Sequence, residues 1–272
     1  VLRKGGKMSR EKWHYTAPYI LSPQHPVTIQ VIGAGGNGSQ VLSQLARIDQ
    51  ALKKLGHVGI HVTCFDDDIV TEANLGRQLF SSADLGLNKA TVLITRLNMF
   101  FGTSWKAEAR RFEKGVKKED RSANITISCV DSVAARKQIN AMLYSKAIIQ
   151  RHEAPYQESY YWIDLGNAQA TGQFIIGTCC KIDQPKRTAT LQPISELQNI
   201  FQKFPDFLTQ KTKDTGPSCS LAEALQKQDL FINSMLVQTA MATLWKMFRE
   251  GRVDYHGAFI NLKTLDIAKI KL

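Results

Sequence analysis

The alternation of apolar and polar positions cuts the chain into strand-length and helix-length pieces. Val27-Thr28-Ile29-Gln30-Val31-Ile32 is a β-branched run that predicts a strand. It stops at Gly33-Ala34-Gly35-Gly36-Asn37-Gly38-Ser39, after which Val41, Leu42, Leu45, Ala46, Ile48 and Leu52 recur at helical spacing up to Gly56. A second apolar strand covers residues 60–65 and closes on Asp66. Residues 89–101 predict a helix with Val92, Leu93, Leu97 and Phe100 on one side. A further strand over 125–130 ends at Asp131 and leads into a polar helix start carrying Arg136. Residues 161–166 predict another strand, and 172–177 its antiparallel partner.

Between these pieces the pattern loosens. Residues 8–26 end in Pro23 and Pro26 and read as an arm or short helix, and residues 102–123 as a polar surface excursion. Pro185, Pro193 and Pro205 punctuate 184–216, which predicts a long crossover or small helical insertion. A helix over 222–248 and a hairpin over 258–262 and 265–270 finish the chain. Strand, glycine turn, helix, strand, acidic residue is the dinucleotide-binding half-fold. The expected fold is therefore α/β, a doubly wound Rossmann-like sheet. Residues 1–26 would form an N-terminal arm, 27–183 the nucleotide-binding core, and 184–272 the crossover, helix and hairpin completing the same domain.

Gly33, Gly35 and Gly38 stand at GxGxxG spacing between a strand and a helix, the context in which that pattern is informative. Glycines permit the tight turn and let backbone N–H groups approach a phosphate at the positive end of the helix dipole. An acidic residue at the end of the next strand, Asp66, suits ribose hydroxyls. This much allows NAD(P), FAD or ATP.

Composition narrows the picture modestly. The 272 residues are 43% hydrophobic with a formal net charge of +11, which leaves nucleotide phosphates, nucleic acid or an acidic protein as partners. The Lys and Arg residues are dispersed, with modest clusters near the N-terminus and at 106–121, and no basic–aromatic interleaving favours a DNA groove. No apolar run is long enough to span a bilayer. The first residues lack the apolar segment of a secretory signal, and Met8 is a candidate natural start, so 1–7 are left out of the fold expectation. Five scattered cysteines point away from a disulfide framework and toward a reducing cytoplasm.

The density of charged and amide side chains from Asp66 to Lys89 is foreign to a core element. Gly33-x-Gly35-Gly36-x-Gly38, Asp66-x-Asp68-x-Val70, Asn74-Leu75-x-Arg77-Gln78, Asp84-x-Gly86-x-x-Lys89 and Val130-Asp131 with Arg136 together resemble the ThiF/MoeB/HesA family, which includes the ubiquitin-activating enzymes. Pro23 to Gly38, Phe100-Phe101-Gly102-Thr103 and residues 216–225 resemble most the ThiF-family branch of the bacterial PRTRC plasmid cassette. The resemblance implies ATP, Mg²⁺ and a small ubiquitin-like (ThiS/MoaD-type) protein ending in Gly-Gly, whose C-terminal carboxylate becomes an acyl-adenylate. It implies Arg77 and Lys89 on the triphosphate, Asp131 on Mg²⁺, Asp66 on the ribose, and Asn74 and Gln78 on phosphate or ribose. It also implies a homodimer. Each role has a plainer rival: a polar strand end for Asp66 to Asp68, surface charge for Arg77 and Lys89, a helix cap for Asp131. Arg136 reads as structural, pairing a carboxylate. In the family an arm arginine reaches the partner subunit's ATP; Arg10 is the nearby candidate here, but it matches poorly.

Cys64, Cys129, Cys179, Cys180 and Cys219 lack the paired Cys-x-x-Cys spacing of a tetrahedral site, so no zinc is expected. Cys64 and Cys129 read as small core residues. Cys219, in Pro217-Ser218-Cys219-Ser220 ahead of a predicted helix, resembles the thioester cysteine of ubiquitin-activating enzymes, with packing or capping as its rival role. Two other functions compete with adenylation. A nicotinamide oxidoreductase leaves Asn74, Arg77, Gln78 and Lys89 unexplained, and a nucleotide-gated interaction module of a plasmid system would bind ATP without cleaving it.

Overall fold

A computed structural model of the protein describes residues 10–113, 123–144, 154–208 and 228–272. Its main sheet has eight strands among these residues, built around β2 (Val27–Ile32). On one side of β2 lie β3 (Ile60–Phe65) and the short edge strand β4 (Lys106–Glu108). On the other lie β5 (Ile125–Ser128) and β6 (Tyr161–Asn167), and all five are parallel. The sheet then continues antiparallel through β7 (Thr171–Thr178), β10 (Tyr255–Asn261) and β11 (Asp266–Lys271).

The two faces follow the pleat. Ile29, Val31, Ile125, Ile127, Tyr161, Ile163, Leu165, Phe174 and Ile176 point into one core, covered by α2 (Gly36–Lys54), α3 (Lys89–Phe101) and α6 (Ile232–Glu250). Ile32, Phe65, Trp162 and Ile175 point into the other, against α4 (Val133–Leu143) and the one-turn α5 (Ile200–Lys203). Burying each of these aliphatic side chains contributes roughly 1.5–3 kcal/mol, which fixes strand order against solvent-exposed alternatives. Both faces are covered by helices, as a mostly parallel sheet demands.

The structure differs from the expectation in four places. Residues 8–26 hold a real strand, β1 (Glu11–Tyr15), then the one-turn α1 (Pro18–Leu21). β1 sits between β8 (Leu191–Pro193) and β9 (Arg252–Val253) in a second, three-stranded sheet, because its hydrogen-bond partners lie some 180 and 240 residues away by number. The 102–123 excursion contains β4, and Trp105 and Phe112 are buried despite the polar surroundings. In the 184–216 stretch, Ile200 and Phe201 plug the second core. The last helix starts at Ile232 where it is described, with Leu230 and Phe231 exposed before it; Leu225 and the start predicted at 222 lie outside the described residues. The terminal hairpin is present as β10 and β11.

Candidate nucleotide site

Strand register places the site. Ile32 pairs with Phe65 on one side and Ser128 on the other, so β2, β3 and β5 end level with one another. The Gly33 N–H donates to Phe65 O at 2.9 Å, and the Cys129 N–H to Ile32 O at 2.8 Å. β2 and β5 also flank the point where strand order reverses, the crevice in which open α/β sheets take their ligands. Two of the glycines are obligatory here. Gly33 has φ 94° and a Cβ on it would stand 3.0 Å from Cys129 O, while a Cβ on Gly38 would overlap the Gly33 carbonyl oxygen. The turn is thereby pressed against the start of α2, whose first N–H groups receive no side-chain cap from Gly35.

Asp66, first after β3, is locked to that turn. Its Oδ2 accepts from the Ala34 N–H at 2.5 Å and its Oδ1 from the Asp68 N–H at 2.8 Å. Burial raises its carboxyl above the usual range, against the opposing pull of those two N–H groups and of Lys89. Each oxygen keeps a lone pair for a ligand hydroxyl.

Lys89 arrives by a fold of the chain on itself. Asp84 caps its own short turn by accepting from the Ser81 N–H and hydroxyl, and Gly86 (φ 80°) sends the chain back. Residues 87–89 then pair with 68–70: the Val70 N–H donates to Leu87 O at 2.9 Å and the Lys89 N–H to Asp68 O at 3.0 Å. Asn88 caps α3 by accepting from the Thr91 N–H and donates its amide to the Asp66 and Asp68 carbonyls. Lys89, buried at the first position of that helix, donates from Nζ to Asp68 Oδ2 at 2.8 Å. The Asp84-x-Gly86-x-x-Lys89 spacing is thus the geometry of one reversed loop.

Arg77 and Gln78 follow on the loop after Asn74. Gln78 is buried, with Nε2 4.0 Å from where a Cβ on Gly35 would sit and Oε1 without a partner. Arg77 donates from Nη1 to Gln228 Oε1 at 2.5 Å, and its Nε is buried with no partner among the described residues. Both border an open cleft of ≈ 370 Å³ that also touches Gln40, Ser43, Gly76 and Phe231. Asn74 is committed locally: its Oδ1 accepts from the Thr71 N–H at 2.9 Å, leaving only its N–H₂ for a ligand.

Asp131 lies two residues beyond Cys129, exposed, with no hydrogen bond or ion pair from its carboxylate to any described residue. Arg136, by contrast, is buried: its Nε donates to both Asp164 oxygens at 3.0 and 3.1 Å and its Nη2 to Val130 O and Leu165 O. It holds the β5 and β6 ends together and so steadies the backbone that carries Asp131. Cys64 is buried in β3, and Cys129 sits just past β5; burial pushes both thiols well above their ordinary value. Cys219 lies outside the described residues.

Gly33, Gly35, Gly36, Gly38, Asp66, Asp68 and Lys89 therefore gather at one set of strand ends, with Asp131 just past β5; Gln78 reaches Gly35, and Arg77 is linked to the turn through Gln228 and Asn233. Three contributors had no readable signal. Asn37, inside the glycine turn, donates to Asn167 Oδ1 at 2.8 Å, Gln228 arrives from the segment just before α6, and Asn233 from its first turn. The pairing of Asn37 spans 130 residues and that of Arg77 spans 151, which no local spacing encodes.

Fold and site together define a Rossmann-like α/β protein with a phosphate-type glycine turn at the reversal point of its sheet. The sequence matches the ThiF family across residues 25–271, and the chain belongs to that family. It is 33% identical over 196 residues to the NEDD8-activating enzyme E1 catalytic subunit of Caenorhabditis elegans, covering 71% of this chain and 42% of that protein. The Dictyostelium discoideum counterpart is 31% identical over 137 residues, 49% of this chain and 29% of that one. The chain thus spans less than half the length of these relatives. Among solved structures, selenomethionine PaaA superposes with a TM-score of 0.55 at 15% identity, covering 90% of this chain and 64% of that one. Escherichia coli MccB with ATP does so with 0.53 at 16%, covering 93% and 64%. At such identities these two speak for the fold alone.

Proposed function

We propose that this protein is an ATP-dependent adenylyltransferase that activates the C-terminal carboxylate of a ubiquitin-like protein ending in Gly-Gly. The observation that carries this reading is the meeting of a glycine turn, Asp66, Lys89 and Asp131 at the ends of β2, β3 and β5, with Arg77 joined to the turn through Gln228 and Asn233 and the NEDD8-activating subunits as relatives. A carboxylate oxygen of the carrier attacks the α-phosphorus, the bond to the β-phosphate bridging oxygen breaks, and pyrophosphate leaves with its electron pair. No protein nucleophile takes part, so catalysis rests on positioning and charge. The N–H groups at the start of α2 and the guanidinium of Arg77 hold the phosphates, Lys89 exchanges Asp68 for a phosphate oxygen, and Asp66 orients the ribose.

Mg²⁺ fits Asp131, an exposed hard-oxygen ligand that no described side chain engages. Bound there, the metal would draw charge from the triphosphate. Cys219 would receive the acyl group as a thioester in a second step that releases AMP. The chain would work as a cytoplasmic homodimer, and its carrier would come from the same plasmid cassette.

The test is ATP–pyrophosphate exchange with Mg²⁺ and candidate Gly-Gly carriers. Exchange should require the carrier and fall at least 100-fold in Asp131→Ala, while the fold, read by circular dichroism, stays intact. ATP binding with no exchange for any carrier would instead identify a nucleotide-gated module.

A further inference from the structure

Among the described residues, the site's two fixed cations are held in opposite ways. Lys89 is paired with the Asp68 carboxylate, whereas Arg77 has no carboxylate partner and donates instead to the neutral amide of Gln228 at 2.5 Å. The Arg77 Nε is buried and makes no hydrogen bond to any described residue. A guanidinium with five N–H donors, partly desolvated and given one neutral acceptor, is under-satisfied, and an anion placed in the cleft completes it.

Gln228 is itself held. Its Nε2 donates to Asn233 Oδ1 at 3.3 Å and its Oε1 accepts from Asn233 Nδ2 at 3.4 Å. Asn233 is buried on the first turn of α6, and its amide lies so close over the glycine turn that a Cβ on Gly36 would collide with it. A chain of neutral amides therefore runs from the phosphate-facing turn through Asn233 and Gln228 to Arg77. It aims the cation without spending its charge.

Resting on the adenylation reading, we propose that Gln228, oriented by Asn233, is a positioning residue: a neutral, exchangeable partner that presents Arg77 to the nucleotide's phosphates and yields it when they bind. Its neutrality is the point. A carboxylate of the same shape would keep the guanidinium for itself, since it adds ion-pair attraction and a bidentate geometry to a bond in which only Arg77 is charged. Lost packing would act in the reverse order, with the truncation worse than the isostere.

Binding of α,β-methylene-ATP with Mg²⁺ is measured calorimetrically on wild type, Gln228→Ala and Gln228→Glu, beside the unliganded unfolding midpoint of each. The expected result is that Gln228→Ala, whose Arg77 is no longer aimed, binds about 3-fold more weakly than wild type, and that Gln228→Glu, whose Arg77 is held back, binds at least 10-fold more weakly than wild type. The unliganded midpoint of Gln228→Glu should equal or exceed that of wild type, because a salt bridge is gained. Wild-type affinity in Gln228→Glu, or a greater loss in Gln228→Ala than in Gln228→Glu, overturns the proposal. If wild type binds the analogue but shows no pyrophosphate exchange, the adenylation reading falls and this comparison still decides the role of Gln228. If wild type does not bind the analogue, both fall.

Discussion

Gly38 shows how much a single position decides. The carbonyl of Gly33 occupies the space a side chain would need, and neither partner is a flexible side-chain tip that could swing aside. Gly38→Ala should therefore push α2 away from the end of β2, costing about 3 kcal/mol of overpacking strain. It should also weaken nucleotide-analogue binding more than 10-fold, because the N–H groups that would hold the phosphate in the proposed site move with the helix. Unaltered affinity and an unaltered urea midpoint would show that the turn is not a rigid cradle. The local geometry of the candidate site was largely legible: the glycine turn and the loop that brings Lys89 back to Asp68 are set by turns and caps that span few residues. The long-range partners were not. Asp164 for Arg136 and Gln228 for Arg77 depend on where distant strands and helices come to rest.

At the scale of an element, α3 matters through its first turn. Asn88 accepts from the Thr91 N–H and donates to the Asp66 and Asp68 carbonyls at 2.9 and 3.1 Å, so one side chain both starts the helix and pins the strand end beside it. Asn88→Ala removes a cap worth about 1 kcal/mol and further hydrogen bonds worth about 1 kcal/mol net. The thermal midpoint should drop by about 4–8 °C, and nucleotide binding should weaken as Lys89 loses its support. A midpoint within 1 °C of wild type, on the order of measurement error for such shifts, would sink this account of the loop. Element identity followed the sequence pattern where the pattern was strongly periodic. It failed where partners rather than periodicity make the strand: β1 and β4 are short, polar on one side, and exist because a neighbour's free edge receives them.

For the whole molecule, the packing of the small sheet against the large one has a titratable seam. His14 in β1 is fully buried, with Nδ1 2.7 Å from Ile194 O and Nε2 3.0 Å from the Tyr161 hydroxyl. Burial lowers its pKa to about 4, with the Ile194 carbonyl opposing and His256 adding slightly. The folded state thus resists protonation that the unfolded chain accepts near 6.5. His14 costs nothing above pH 6.5; stability falls as pH drops from there toward 4 and levels below, by about 3 kcal/mol in all. Urea unfolding at pH 7 and pH 4 should show this loss in wild type and a smaller one in His14→Gln. His256, also lowered by burial, contributes to both proteins and cancels in the comparison.

The sequence by itself determined what short-range physics controls: the glycine turn, the β-branched strands around it, the helix that follows, and the loop that returns Lys89 to Asp68. Those features depend on backbone torsion, capping and side-chain period within a few residues. Only the tertiary structure decided that β2, β3 and β5 end level, that Arg136 locks β5 to β6, and that the neutral amide of Gln228, just before α6, holds Arg77. Strand register and buried polar pairing are set by which surfaces exclude water together, and that is a property of the assembled core rather than of any stretch of chain.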